Sequence, residues 1–363
     1  MLNMQKCLII TDISIWLYGA GHISRLQKLI QFLTKYSFVT IVYLGHKPNQ
    51  SIEHFLPPKV NVLFLENSSK EDKKRNVDLL RRLFSFERYK ICFFEYIHHA
   101  HYLAAVPDEV ITVLDAHDII SERNRSFNSL HYANWDYNLS RDREFKIYRL
   151  FDYVMLISKK DYDTVGEAIG TERLILAPHP APLRYHEFRS KASTVGFIAS
   201  DYLPNVDSIH WFLHKVWPLI PLSTGVRLHI FGAVGRKISL SLLSTFDNII
   251  LEGFRDNLTD VYSKMDIIIN PVRIGSGLKI KNIEALASGL PLLTTTHGAS
   301  GLEKGINNFF LIADEPASFA KSLLQLISDS ELRFQLGKNA QHWINDEFNE
   351  EICFKSIKEL LSS

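Results

Sequence analysis

The sequence predicts an α/β protein made of two doubly wound parallel sheets. Short apolar, β-branched runs alternate with amphipathic stretches along almost the whole chain; the alternation stops once, at a proline-rich segment; it then begins again. A chain of 363 residues is also too long for one ordinary hydrophobic core.

In the first half, Lys6–Ile13, Phe38–Leu44, Val60–Leu65, Ile91–Glu95, Val110–Leu114, Tyr153–Ile157 and Leu174–Ala177 read as strands. Each is a near-continuous hydrophobic run, as expected where both faces of a parallel sheet are covered. Between the first two lies a helical pattern, His22–Tyr36, in which Ile23, Leu26, Leu29, Ile30 and Leu33 recur at helical spacing. The segment Ala177-Pro-His-Pro-Ala-Pro182 continues neither strand nor helix, because three prolines fix φ and remove donors. Residues 183–192 are charged and weakly patterned, and a second series of strands then opens. These are Val195–Ala199, Arg227–Phe231, Ile249–Leu251, Asp266–Asn270 and Pro291–Thr295. The expected domains are 1–182 and 183–363. The last stretch, Glu331–Leu361, reads as helical throughout, and Trp343 and Phe348 in it are expected to pack back across the first domain.

Composition narrows the function. Hydrophobic residues make up 46% and charged residues 22%, as in ordinary globular proteins. Lys and Arg total 41 against 40 Asp and Glu, which argues against nucleic acid as the main partner. Three cysteines form no CxxC pair and no metal spacing, which fits a reducing compartment. The N-terminal apolar run is too short and interrupted for a signal peptide, and no window approaches a membrane span, so a cytoplasmic location is the expectation. Arg141–Arg149, with Lys146, is the candidate for peripheral contact with an acidic membrane; its charges alternate in sign, so a solvated face is the default.

The stretch from Asn270 to Pro291 carries the strongest site signal. A strand ends at Asn270, a glycine-containing loop follows, and a helix is expected from about Leu278. Free N–H groups at a helix start, with the positive end of the dipole, cradle a diphosphate. Gly275 and Gly277 allow close approach of the backbone, and Arg273, Lys279 and Lys281 add charge. At helical spacing Gly277, Lys281 and Glu284 share one face, and Lys279 points elsewhere. Glu284 is a lone carboxylate among apolar neighbours, costly there unless donors such as ribose hydroxyls meet it. An internal Lys281–Glu284 ion pair is the alternative that needs no ligand.

In the first half, Gly19-Ala-Gly21 precedes the first helix but fails as a dinucleotide fingerprint, since Ser24 takes the third glycine's place and the second strand ends without an acid. Leu114-Asp-Ala-His-Asp118 follows a strand's carboxyl end, where open α/β sheets bind ligands. There His117 is placed to meet a substrate, and Asp115 and Asp118 to orient its imidazole or cap the next helix. The cluster His98-His99-x-His101 has no Cys or second His pair nearby to complete a tetrahedral site, so it reads as a cleft-edge or surface cluster.

Residues 194–302, in the runs "PNVDSIHWFLHKVWPLI", "VRLHIFG" and "GFRDNLTDVYSKMDIIINPVRIGSGLKIKNIEALASGLPLLTTTHGASGL", resemble the C-terminal half of family 4-type (group 1) glycosyltransferases of the GT-B fold. The resemblance implies two Rossmann-like domains facing each other across a cleft, with the final helix returning to the first. It implies transfer of a sugar from a nucleotide-diphosphate-sugar donor to a glycan, lipid-linked or protein-linked acceptor, with retention and without an essential metal or cofactor, in surface glycan synthesis. Glu284 would bind the ribose, Lys281 with Arg273 or Lys279 would neutralise the diphosphate, the Gly19–Gly21 loop would near the donor phosphates, and His117 would meet the transferred sugar. Many members carry Glu-x7-Glu; Ser276 stands where the first Glu would be, which leaves the holding of the donor sugar unassigned. A nucleotide-sugar 2-epimerase of the same fold, and a non-catalytic sugar-nucleotide-binding subunit, are the competing readings.

Overall fold

The computed structural model describes residues 5–132 and 139–362; the outermost residues of both expected domains, 1–4 and 363, lie outside them. The chain forms two compact units. One takes the chain up to Tyr18, His22–Pro178 and the tail from Cys353; the other takes Gly19–Gly21 and His179–Ile352.

The first unit holds seven parallel strands: β1 (Gln5–Thr11), β2 (Ser37–Leu44), β3 (Val60–Leu65), β4 (Ile91–Glu95), β5 (Ile111–Asp115), β6 (Tyr153–Leu156) and β7 (Leu174–Leu176). Their order is β3-β2-β1-β4-β5-β6-β7, so the winding reverses between β1 and β4. Cys7 to Ile10 and Ile91 to Phe94 have no solvent exposure, which is why these stretches are apolar at every position. The helix Gly21–Leu33 buries Ile23, Leu26, Leu29, Ile30 and Leu33 at the spacing seen in the sequence. It also buries Arg25, which the apolar pattern does not announce. The tail helix Lys355–Ser362 belongs here too: Phe354 packs on Phe32 at 5.0 Å, and Lys90 donates to the carbonyl of Leu361 at 3.2 Å.

The second unit repeats the plan with β8 (Thr194–Ile198), β9 (Arg227–Phe231), β10 (Ile249–Gly253), β11 (Ile267–Asn270), β12 (Leu292–Thr294) and β13 (Leu311–Ile312), all parallel, in the order β10-β9-β8-β11-β12-β13. Two buried charges fasten its linker. Asp266 accepts from the amides of Ser193 (2.8 Å) and Thr194 (2.9 Å) and pairs with Arg189. Arg333, 1% exposed, donates to the carbonyls of Leu326, Ile327, Arg189 and Ser190.

Residues 331–361 are not one helix. They form Ser330–Glu347, Glu350–Cys353 and Lys355–Ser362, parted first at Phe348, whose backbone (φ −125°, ψ 20°) leaves the helical region. Trp343 stacks on Phe309 at 4.7 Å and meets Phe348 edge-on at 5.4 Å, and Ala181 donates its amide to the Phe348 carbonyl. Both aromatics therefore pack within the second unit, not across the first. The chain joins the first unit only from Cys353.

One close approach sets the helix Ile280–Ala287. The carbonyl of Gly289, just past its end, lies 2.1 Å from where a Cβ on Gly337 would sit, so Ser330–Glu347 packs here with no side chain between. Gly337→Ala should destabilise the second unit by about 1–3 kcal/mol through overpacking, read as a lower denaturation midpoint.

Candidate functional site

In the second unit the site is built at the carboxyl ends of β8 and β11. Asn270 ends β11 and donates to Asn282 at 2.8 Å, and Asn282 donates to the carbonyl of Gly298 at 2.9 Å. These buried amides fix the helix Ile280–Ala287 against the strand ends. The loop before it needs its glycines: Gly275 has φ 114° and Gly277 φ 67°, both in the region that penalises a Cβ. The helix starts at Ile280 rather than near Leu278, because Gly277 is left-handed and Lys279 extended (φ −86°, ψ 92°). Gly277 therefore lies in the loop, and only Lys281 and Glu284 share the helix face.

The cations have separate fates. Lys279 donates to the carbonyls of Ser276 (3.0 Å) and Gly277 (2.9 Å), bracing the loop. Arg273 makes a two-pronged pair with Asp207 (2.7 and 3.1 Å) and lies over the Trp211 ring, so its charge is already compensated. Lys281 donates to Asn205 Oδ1 at 2.8 Å and sits over the Phe197 ring. Burial, with a smaller push from Lys279, pulls its ammonium down to about 7. Glu284, 7% exposed, accepts a long bond from the Tyr262 hydroxyl at 3.3 Å.

In the first unit the polar residues gather where β1, β4 and β5 end, beside the reversal of strand order. Arg25 grips Asp115 with two bonds (2.8 and 3.0 Å) and donates a third to the carbonyl of Ala177. Asp115 therefore does not orient His117, whose Nε2 is 4.0 Å away. Glu95 does: its Oε2 meets His117 Nε2 at 2.6 Å, with both side chains buried. Its other oxygen is buried and accepts no hydrogen bond. Asp118 pairs with Arg123. Glu95 closes the run Ile-Cys-Phe-Phe-Glu, and a carboxylate ending so apolar a strand was the signal available for it.

The backbone here is strained. His117 has φ 59°, and the Asp118 amide donates to the Ala116 carbonyl at 2.7 Å, closing a three-residue turn around it. Tyr96, at the end of β4, has φ 66°, and its ring stacks on His117 at 4.2 Å. Strain of this kind is kept where a side chain must be aimed. Burial pulls the His117 imidazole down, but the Asp115 and Glu95 carboxylates outweigh it and hold its pKa above the ordinary value. Burial and the Asp115 charge push Glu95 upward as well. Gly19 has φ 94° and groups with Gly21 in the second unit. Contrary to the surface reading of its cluster, His99 is 2% exposed and faces Asp12.

Two parallel, doubly wound units of this kind are the GT-B fold of glycosyltransferases. Residues 192–329, all within the second unit, match the family described as glycosyl transferases group 1. A protein of the cps region of Klebsiella pneumoniae is 27% identical over 216 residues, covering 57% of this chain and 55% of its own length. The capsular polysaccharide biosynthesis glycosyltransferase CapM of Staphylococcus aureus is 19% identical over 205 residues, 54% of this chain and 53% of its own. The chain thus spans about half the length of these curated relatives. Among solved structures, sucrose-phosphate synthase from Thermosynechococcus elongatus has a TM-score of 0.78 at 15% identity over 98% of both chains. Anabaena HepE in complex with UDP and glucose has 0.74 at 13% identity over 99% of both. No helix among the described residues is long and apolar enough to cross a membrane.

Glu95→Gln keeps the shape of the His117 partner and removes its charge. The His117 pKa should then fall toward or below the ordinary imidazole value, read from histidine ring proton shifts against pH.

Proposed function

We propose that the chain is a glycosyltransferase that moves a sugar from a nucleotide-diphosphate donor to a glycan, lipid-linked or protein-linked acceptor in surface glycan biosynthesis. The observation that carries this is the placing of Lys281 and Glu284 on one helix face behind a glycine loop. A partly neutralised ammonium beside a buried carboxylate suits a ligand that brings phosphate charge and ribose hydroxyls together. The family match over 192–329 and the UDP held by HepE support the same reading.

In this proposal Glu284 accepts from the ribose, Lys281 and loop amides from Gly275 to Lys279 stabilise the departing diphosphate, and no metal serves that step. Lys279 and Arg273 act indirectly, by holding the loop and the helix Leu203–Trp211. The first unit presents the acceptor side, with His117 aimed by Glu95 and packed by Tyr96. Asp115, held by Arg25, is not available there as a covalent nucleophile, which favours front-face attack with retention. The Glu95–His117 pair also favours a second reading, a 2-epimerase, which needs an acid and base on the sugar. Incubation with UDP-sugars separates them: hydrolysis or transfer supports the transferase, and a new 2-epimer supports the other.

Two outcomes are expected by titration calorimetry. Glu284→Gln should weaken UDP-sugar binding at least tenfold, since hydrogen bonds to a charged group contribute about 1.5–3 kcal/mol; unchanged affinity would remove the ribose assignment. Lys281 is protonated below its pKa of about 7. UDP binding should therefore weaken as pH rises from 6 to 9, with proton uptake near pH 8, and both effects should vanish in Lys281→Met. With the folded pKa below the unfolded one, the ligand-free protein gains stability from this group as pH rises above 7.

A further inference from the structure

We propose that Asp12, His98 and His99 form a binding site for a divalent first-row transition ion, with zinc as the best fit. The three residues come from two adjacent strand ends of the first unit. Asp12 follows β1, and His98 and His99 lie in the turn Ile97–Ala105 that follows β4. In sequence they are 86 residues apart, which is why the histidines alone complete no metal spacing.

The geometry is that of a ligand set. His98 Nε2 lies 3.2 Å from Asp12 Oδ2, and His99 Nε2 lies 3.3 Å from Asp12 Oδ1. One ligand atom from each of the three falls within 4.8 Å of the others. Zinc with arms of about 2.0–2.1 Å in a tetrahedron spaces its ligand atoms at roughly 3.3 Å. Two imidazoles and a carboxylate are also the donor types that hold first-row ions with positions left open.

A second, independent observation points the same way. The His99 side chain is 2% exposed, and neither ring nitrogen is in a hydrogen bond, although Nε2 is aimed at the carboxylate. Nε2 thus meets only the Asp12 carboxylate, outside hydrogen-bond geometry, and a cation at the shared point would satisfy both groups. Asp12 and His98, at 45% and 35% exposure, leave that point open to solvent for entry and for a further oxygen ligand. The turn is set: Tyr96 precedes it with φ 66° and stacks on His98 at 5.5 Å, and the His98 carbonyl is engaged by His101 Nδ1 at 3.0 Å. The site shares no residue with the donor assignment, so it stands whether or not that assignment does.

The full chain, stripped by dialysis against EDTA, would be titrated with zinc by calorimetry and with cobalt by visible absorption. Expected are one ion per chain, a cobalt spectrum of low coordination number, and at least a 100-fold loss of affinity in His99→Gln and in Asp12→Asn. His342→Gln, in the second unit, should bind as the parent does. Asp12→Asn changes an exposed side chain, so it serves where His99→Gln fails to fold. The idea is overturned if no stoichiometric ion binds, or if Asp12→Asn binds zinc as tightly as the parent; the three residues are then a hydrogen-bonded cluster only. UDP affinity should be the same with and without EDTA, which keeps this result distinct from the donor titrations.

Discussion

A guanidinium with no access to solvent decides how the first unit is wired. Arg25 takes both oxygens of Asp115 and the carbonyl that ends the β7 segment, so it links the first helix, the fifth strand and the start of the proline-rich linker. Breaking such a pair by removing one partner leaves a buried charge and typically costs about 3–5 kcal/mol. Its consequence for chemistry is exclusion. Because Asp115 is used up, the imidazole beside it must find another carboxylate, and Glu95 on the neighbouring strand is within reach.

The second unit solves a related problem the opposite way. The cations of its candidate site are sorted by partner: Arg273 is spent on Asp207, Lys279 on loop carbonyls, and Lys281 on the neutral amide oxygen of Asn205 and the Phe197 ring. A helix start whose Lys281 ammonium meets neutral groups is electrostatically unfinished. The two units therefore place their unusual groups at equivalent positions, the carboxyl ends of central strands.

Most of this fold was readable in the sequence. Central strands buried on both faces are largely apolar, and Ile91–Glu95 has the bounds expected of it; so do the less buried runs Val60–Leu65 and Arg227–Phe231, where Asn61 and Arg227 are exposed. The two-residue β13 was not legible, being too short to show any pattern. Nor was the break at Phe348, since its neighbours keep helical spacing. In the candidate site, the glycine loop and the apolar setting of Glu284 follow from local sequence, whereas the place of Gly277 in the loop, with φ 67°, does not. The pairings Arg25–Asp115, Glu95–His117 and Asp12–His99 span 90, 22 and 87 residues, and no local rule connects them. Arg25 had a faint signal, lying four residues before Leu29 on the apolar stripe.

The excursion of the tail carries a topological meaning. With Cys353 onward counted in the first unit, the long segment His179–Ile352 of the second unit is in effect an insertion within the first. During synthesis, the first sheet waits for its last helix until the entire second unit has emerged. Phe32, buried against Phe354, stays without that cover until then. A shortened chain ending after residue 352 would leave this aromatic uncovered, coupling the integrity of the amino-terminal sheet to the far end of the polypeptide.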